Sequence, residues 1–283
     1  MIDKNSKEDN MSGSNYKKCI RLFYLSVLVS VLLFNISYAS TLEETFKKRI
    51  PCDEQTLITL KNSNGRIEVS SWENNEVEII AYKKVEGSKS SAAKLMERIE
   101  IEVDQNDNEI NIETVVPKGL QGSGGFFSWL FGDNHSSYSV TYEIKVPYQA
   151  DLDMNTTNGR INVENLSGRL RLHTTNGKIV GENIKGMVRC HTTNGSINFK
   201  FDEITDDDEM IFRTTNGSIK LYFPEEYGGY ANLKTTNGHI DSDFRMSSRM
   251  DKKRKSYKGE FGEGEGSITC KTTNGSIYLL VNE

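Results

Sequence analysis

The sequence predicts an all-β protein: a parallel β-solenoid, or β-helix-like stack, with Asn-Gly corners and one short helix near residues 90–98. Two observations carry that expectation. The string Thr-Thr-Asn-Gly occurs six times, starting at Thr156, Thr174, Thr192, Thr214, Thr235 and Thr272, with a weaker copy at Asn62-Ser63-Asn64-Gly65. The residue two places after the glycine is isoleucine in every copy: Ile67, Ile161, Ile179, Ile197, Ile219, Ile240 and Ile277.

Successive starts are 18, 18, 22, 21 and 37 residues apart, and a period of about 20 residues is the size of one solenoid coil. The longest gap is expected to hold one coil with an inserted loop, because residues 245–266 are charged and Gly-rich. Strand side chains point to opposite faces at period two. One parity reads Leu152/Met154/Thr156, Leu170/Leu172/Thr174, Val188/Cys190/Thr192, Met210/Phe212/Thr214, Ala231/Leu233/Thr235 and Ile268/Cys270/Thr272. The other reads Asn155, His173, His191, Arg213, Lys234 and Lys271. One face is therefore apolar in every repeat and the other polar.

Asn-Gly supplies the corner, since glycine tolerates positive φ and asparagine visits the left-handed region. Alone, Asn-Gly between strands signals a hairpin, so an antiparallel meander or barrel is the competing architecture. Identical corners at a near-constant period favour stacking about 4.8 Å apart, with asparagine amides bonded along the column.

The rest of the chain is consistent with one domain over residues 40–283. Residues 40–150 form less regular first coils and residues 151–283 carry the repeats. Ser90–Arg98 joins good helix formers to a serine cap. Lys17, Lys18 and Arg21 precede the uncharged stretch Leu22–Ile36, and Ser37-Tyr38-Ala39 follows. That pattern is a secretory signal over residues 1–39, with an uncleaved anchor as the alternative, although a membrane span usually needs about 20 apolar residues. The protein is thus expected to be exported, to the periplasm or the cell surface.

Without residues 1–39 the chain carries 30 Lys/Arg and 37 Asp/Glu, a net charge of −7, which argues against nucleic-acid binding. Three cysteines then remain, Cys52, Cys190 and Cys270. An odd number does not make a fully paired disulfide framework. Cys190 and Cys270 share the inner column three coils apart, roughly 14 Å at strand spacing, and are expected as buried free thiols.

With these residues in view, the chain resembles the bacterial putative-adhesin β-strand-repeat proteins, a domain of unknown function. The resemblance rests on Asn64-Gly65-Arg66-Ile67-Glu68-Val69, Tyr142-Glu143-Ile144-Lys145-Val146-Pro147, the Thr-Thr-Asn-Gly-x-Ile repeats, and Gly264-Glu265-Gly266-Ser267-Ile268 with Asn274-Gly275-Ser276-Ile277. It implies a solenoid-like fold and a cell-envelope location, and it brings no catalytic residues.

The candidate ligand-binding surface is an outward ribbon of His173, His191, Arg213, Lys234 and Lys271, beside Thr157, Thr175, Thr193, Thr215, Thr236 and Thr273. Repeated cations and hydroxyls suit an acidic glycan or envelope polymer, by attraction and multivalency. The bland reading is a solvated face that keeps the sheet soluble. His173 and His191 would neighbour each other, but their column lacks a carboxylate or cysteine to complete a metal shell. Asp202–Glu209 holds six acidic residues but not the spacing of a calcium loop. The basic run Arg249–Lys258 reads as a solvated loop.

A separate apolar tip, Phe126, Phe127, Trp129, Leu130 and Phe131, lies between glycines. It reads as a cap on the stack or as a contact for a membrane or partner protein. No cofactor is implied.

The expected function is non-catalytic and adhesin-like. The alternatives are a periplasmic structural or sensor scaffold, or a polysaccharide-active β-helix enzyme. The fixed repeat positions hold Thr and Asn rather than the carboxylates such catalysis needs. Ice binding would want paired threonines on one face, whereas adjacent threonines point to opposite faces.

Overall fold

The isoleucine that follows each Asn-Gly, from Ile67 to Ile277, is fully buried in all seven copies in the computed structural model of the protein. Burying such a side chain contributes about 1.5–3 kcal/mol, so the repeated isoleucines form a spine on which the strands are hung. The structure describes residues 40–116, 136–202, 209–247, 253 and 255–282. Residues 1–39, the apolar tip 126–131 and most of the acidic and basic runs lie outside them.

The strands before the repeats are β1 (Ser40–Pro51), β2 (Leu57–Lys61), β3 (Ile67–Trp72), β4 (Glu76–Gly87), β5 (Glu100–Asn106), β6 (Glu109–Val115) and β7 (Ser137–Pro147). One helix, α1 (Lys89–Met96), lies between β4 and β5. The Ser88 side chain caps it, accepting from the Ser91 amide, and Ala92, Leu95 and Met96 are buried.

Each later repeat supplies one strand before its corner and one after. These are β8 (Asp151–Asn158) with β9 (Ile161–Leu166), β10 (Leu170–Asn176) with β11 (Ile179–Ile184), and β12 (Val188–Asn194) with β13 (Ile197–Phe201). They continue as β14 (Glu209–Asn216) with β15 (Ile219–Phe223), and β16 (Gly229–Asn237) with β17 (Ile240–Ser242). After β18 (Ser256–Phe261) come β19 (Gly266–Asn274) and β20 (Ile277–Val281).

Two ten-stranded sheets result. The first runs β1-β4-β7-β3-β9-β11-β13-β15-β20-β17 and the second β18-β16-β19-β14-β12-β10-β8-β2-β6-β5. Each Asn-Gly passes the chain from the second sheet to the first. Equivalent strands pair in parallel and in register, Leu172 with Cys190 and Thr174 with Thr192. The antiparallel meander is therefore excluded for the repeats. Among the described residues antiparallel pairing is confined to the ends, where β1 and β4 extend the first sheet, β5 pairs with β6, and β18 pairs with β16.

The order of stacking corrects the expectation that the coils follow chain order. The last repeat lies between the fourth and fifth Thr-Thr-Asn-Gly copies: β19 pairs with β14 and β16, and β20 pairs with β15 and β17. β16 and β17 step over one level, β18 turns back along the far side of β16, and the final strands fill the level left open. The separation of the two inner cysteines changes accordingly. Cys190 and Cys270 each pair in register with Phe212, so they are two levels apart, about 9.6 Å at strand spacing. Both are buried free thiols, beyond the reach of a disulfide.

The role of the corner glycine is also different from expectation. A Cβ on Gly177 would lie 1.8 Å from the carbonyl oxygen of Gly159, and one on Gly195 would lie 1.8 Å from that of Gly177. Among the corner glycines only Gly65 has a left-handed φ, +126°. Close approach of one corner to the next demands glycine at the other levels. The left-handed asparagines are Asn165 and Asn183, at the opposite corner of the repeat.

Candidate functional site

The outer face of the second sheet carries the predicted cation column. Register sets His173 beside His191, His191 beside Arg213, Arg213 beside Lys271 and Lys271 beside Lys234. All five are thus brought together, with Lys271 rather than Lys234 following Arg213. Asn155 and Lys61 extend the same row beyond His173. The five side chains cover four strand intervals, roughly 19 Å. His173 is half-buried, and the other four are exposed.

The corner fixes this row in place. Asn158, Asn176, Asn194, Asn216, Asn274 and Asn237 form an amide ladder that begins on Asn64. Asn158 Nδ2 donates to Asn64 Oδ1, Asn176 to Asn158 and Asn194 to Asn176, each at 2.8 Å. Asn216 donates to Asn194 and Asn274 to Asn216 at 2.7 Å, and Asn237 donates to Asn274 at 2.8 Å. Inward, the first threonine of each corner donates to the glycine carbonyl of the neighbouring level: Thr174 to Gly159, Thr192 to Gly177, Thr214 to Gly195, Thr272 to Gly217 and Thr235 to Gly275. Thr156 is the exception, its hydroxyl unpartnered at the level where Gly65 has its left-handed φ.

The second threonines follow the same repeat. Thr175, Thr193, Thr215 and Thr273 are half-buried, and Thr157 and Thr236 are exposed. They stand two residues beyond the cations on the same face, so hydroxyls border the charged row.

Neighbouring columns on this face are neutralised within the chain. Arg169 meets Asp151 at 2.5 Å, Arg171 meets Asp153 at 3.2 Å, and Arg189 meets Glu209 at 2.6 Å. Among the described residues no carboxylate pairs with His173, His191, Arg213, Lys271 or Lys234. The sheet therefore concentrates the unneutralised positive charge of Arg213, Lys271 and Lys234, with the two histidines beside them, in one row of a chain whose overall charge is negative.

The histidine rings stack at 5.1 Å with an interplanar angle of 8°, face to face rather than converging on a common point. Partial burial, with smaller effects from His173 and Arg213, holds the His191 imidazole below its ordinary pKa. Among the described residues no group of three or more His, Cys, Asp or Glu side chains could hold a metal ion, and no helix is long and apolar enough to cross a membrane.

One further depression was not foreseen from the sequence. It lies on the first sheet, about 620 Å³ in volume, and its walls include Lys178, Glu182, Lys200, Tyr222 and Asp243. The face alternation marks most of these residues as outward, but nothing in the repeat spacing brings Asp243 to them.

Fold and surface together define an all-β repeat protein whose regular feature is a ladder of side chains. The chain belongs to the Toastrack DUF4097 family, whose model matches residues 30–280. No curated protein matches it. Among solved structures it is similar to a putative cell adhesion protein from Clostridium sporogenes, at 13 % identity over 85 % of this chain and 100 % of that one, with a TM-score of 0.48. A putative adhesin from Bacteroides fragilis is 10 % identical over 84 % and 97 % of the two chains, with a TM-score of 0.40. A putative lipid binding protein from Parabacteroides distasonis is 11 % identical over the same shares, with a TM-score of 0.24. At such scores these likenesses say nothing about the ligand.

Proposed function

We propose that this protein is a non-catalytic, exported, adhesin-like module of the cell envelope. In this reading the repeats form a parallel β-solenoid whose second sheet binds a polymer with regularly spaced negative charge, such as an acidic glycan. One observation carries the reading: among the described residues no carboxylate pairs with the column His173–His191–Arg213–Lys271–Lys234, while the arginines beside it are neutralised by Asp151, Asp153 and Glu209. Cations left free at strand spacing offer weak contacts that multiply along a polymer. The charged stretch and apolar run before Ala39 support export.

The test is binding of polygalacturonate by the wild-type chain and by the double variant Arg213→Glu/Lys271→Glu. A control variant, Lys220→Glu, changes a cation on the other sheet. The expected result is wild-type binding that weakens at least tenfold in the double variant and little in the control. Equal loss in both, or no binding at low salt, overturns the proposal.

A further inference from the structure

The four sheet edges are not protected alike. β18 is covered by residues 245–247, the Ser247 amide bonding the Glu260 carbonyl and the Gly262 amide the Arg245 carbonyl. β17 is only three residues long. β5 presents Glu100, Glu102 and Asp104 along one strand, so a second copy of it would be repelled. Short, covered and like-charged edges are the usual defences against strand pairing.

β1 differs. It is twelve residues long, ends its sheet and, among the described residues, pairs as a strand with β4 alone, with side-chain bonds to β5 through Lys48 and Gln105. Its charges are mixed and ordered: Glu43 and Glu44 precede Phe46, and Lys47, Lys48 and Arg49 follow it. We infer that β1 is a homodimerisation strand, pairing antiparallel with β1 of a second copy in the register that sets Phe46 opposite Phe46.

A two-fold axis perpendicular to the sheet keeps inner side chains on the inner face and outer ones on the outer. In this register the inner row sets Leu42 opposite Ile50 and Glu44 opposite Lys48 of the other copy. The outer row sets Glu43 opposite Arg49 and Thr45 opposite Lys47. Thr41 faces Pro51, so the whole strand from residue 41 to residue 51 is used. Opposite charges and apolar pairs directly across an antiparallel ladder are favourable, and like charges are not.

The adjacent registers fail. A shift one way sets Lys47 against Lys47 and Phe46 against Lys48. A shift the other way sets Phe46 against Glu44 and Leu42 against Lys48. One register alone satisfies both rows, and register is what a strand must specify to pair uniquely.

The strand is held ready for this. Glu78 on β4 binds Lys47 at 2.9 Å and Arg49 at 2.7 Å, which fixes the outer cations. Leu42 and Phe46 pack against the core from the inner row. Glu43 stands across from Lys84 on β4 without an ion pair within 4 Å, and Glu44 is held by Lys83 at 2.7 Å, so both carboxylates are positioned at the strand before a second copy arrives.

The experiment uses the full chain carrying Cys19→Ser and Cys52→Ser, which leaves the buried Cys190 and Cys270 as the other thiols. Opposed residues lie about 4.5–5.5 Å apart, within disulfide reach, so Phe46→Cys is expected to give an oxidised dimer cross-linked at position 46. Glu44→Cys is expected to give none, because its two copies stand about 14 Å apart along the strands. In sedimentation, Glu43→Lys is expected to weaken the dimer at least tenfold, a larger effect than the small loss of monomer stability that a lysine opposite Lys84 brings. A wild-type chain that stays monomeric at 100-fold dilution steps up to about millimolar concentration overturns the inference. So does a dimer indifferent to Glu43→Lys, or cross-linking through position 44 rather than 46.

Discussion

Asn274 donates from its side-chain amide to Asn216 at 2.7 Å, although 58 residues separate them. Asn216 in turn donates to Asn194, so the amides between the two ends of the ladder both give and receive. Replacing Asn216 by Ala removes two side-chain hydrogen bonds, at about 1 kcal/mol each. The expected loss is about 2 kcal/mol in urea unfolding, with the slope of the transition unchanged.

Gly177→Ala is expected to cost more than any ladder asparagine. The new methyl would meet the Gly159 carbonyl at 1.8 Å, and backbone cannot rotate away as a side chain can. A cost of about 3 kcal/mol, the upper part of the range for overpacking, would appear as a lowered midpoint in the same assay.

Stability should depend on His191. Its folded pKa lies below the ordinary value, because burial disfavours the imidazolium and His173 and Arg213 repel it. The unfolded chain therefore binds the proton first, at about pH 6.5. Stability is expected to fall as pH drops through that value toward the folded pKa, and to level off below it. His191→Gln should flatten this slope in melts taken between pH 7.5 and 5. Polygalacturonate binding should respond with the opposite sign, strengthening as His191 gains charge.

The described thiols should react unequally. Burial pushes the Cys190 and Cys270 thiols well above their ordinary pKa, while Cys52 is only half-buried. In the folded chain at pH 8, a disulfide-exchange reagent is expected to modify Cys52 and spare the inner pair until denaturant is added. Labelling of Cys190 at the native rate of Cys52 would show that the stack opens locally.

The cation column was legible because alternation and the Thr-Thr-Asn-Gly string fix which side of the strand His173, His191 and Arg213 occupy. That Lys271 sits between Arg213 and Lys234 was not legible, since a repeat records the shape of a level and not its rank in the stack. The reason for glycine was hidden too. The sequence displays the residue but not the carbonyl of Gly159 above Gly177. The antiparallel ends escaped for the same cause, because β1 and β4 alternate as the stacked strands do and only their pairing differs.

The placement of the last repeat has a consequence for how the chain comes into being. A polypeptide delivered from its N-terminus cannot build this stack by adding one level after another. When Asn237 has emerged, the level beside Asn216 must stay vacant until Asn274 arrives. The C-terminal strands act as a keystone, so a chain stopped before Gly266 would leave β14 and β16 with facing, unbonded edges. Such an order of assembly needs the whole sequence to be available before the arch is closed.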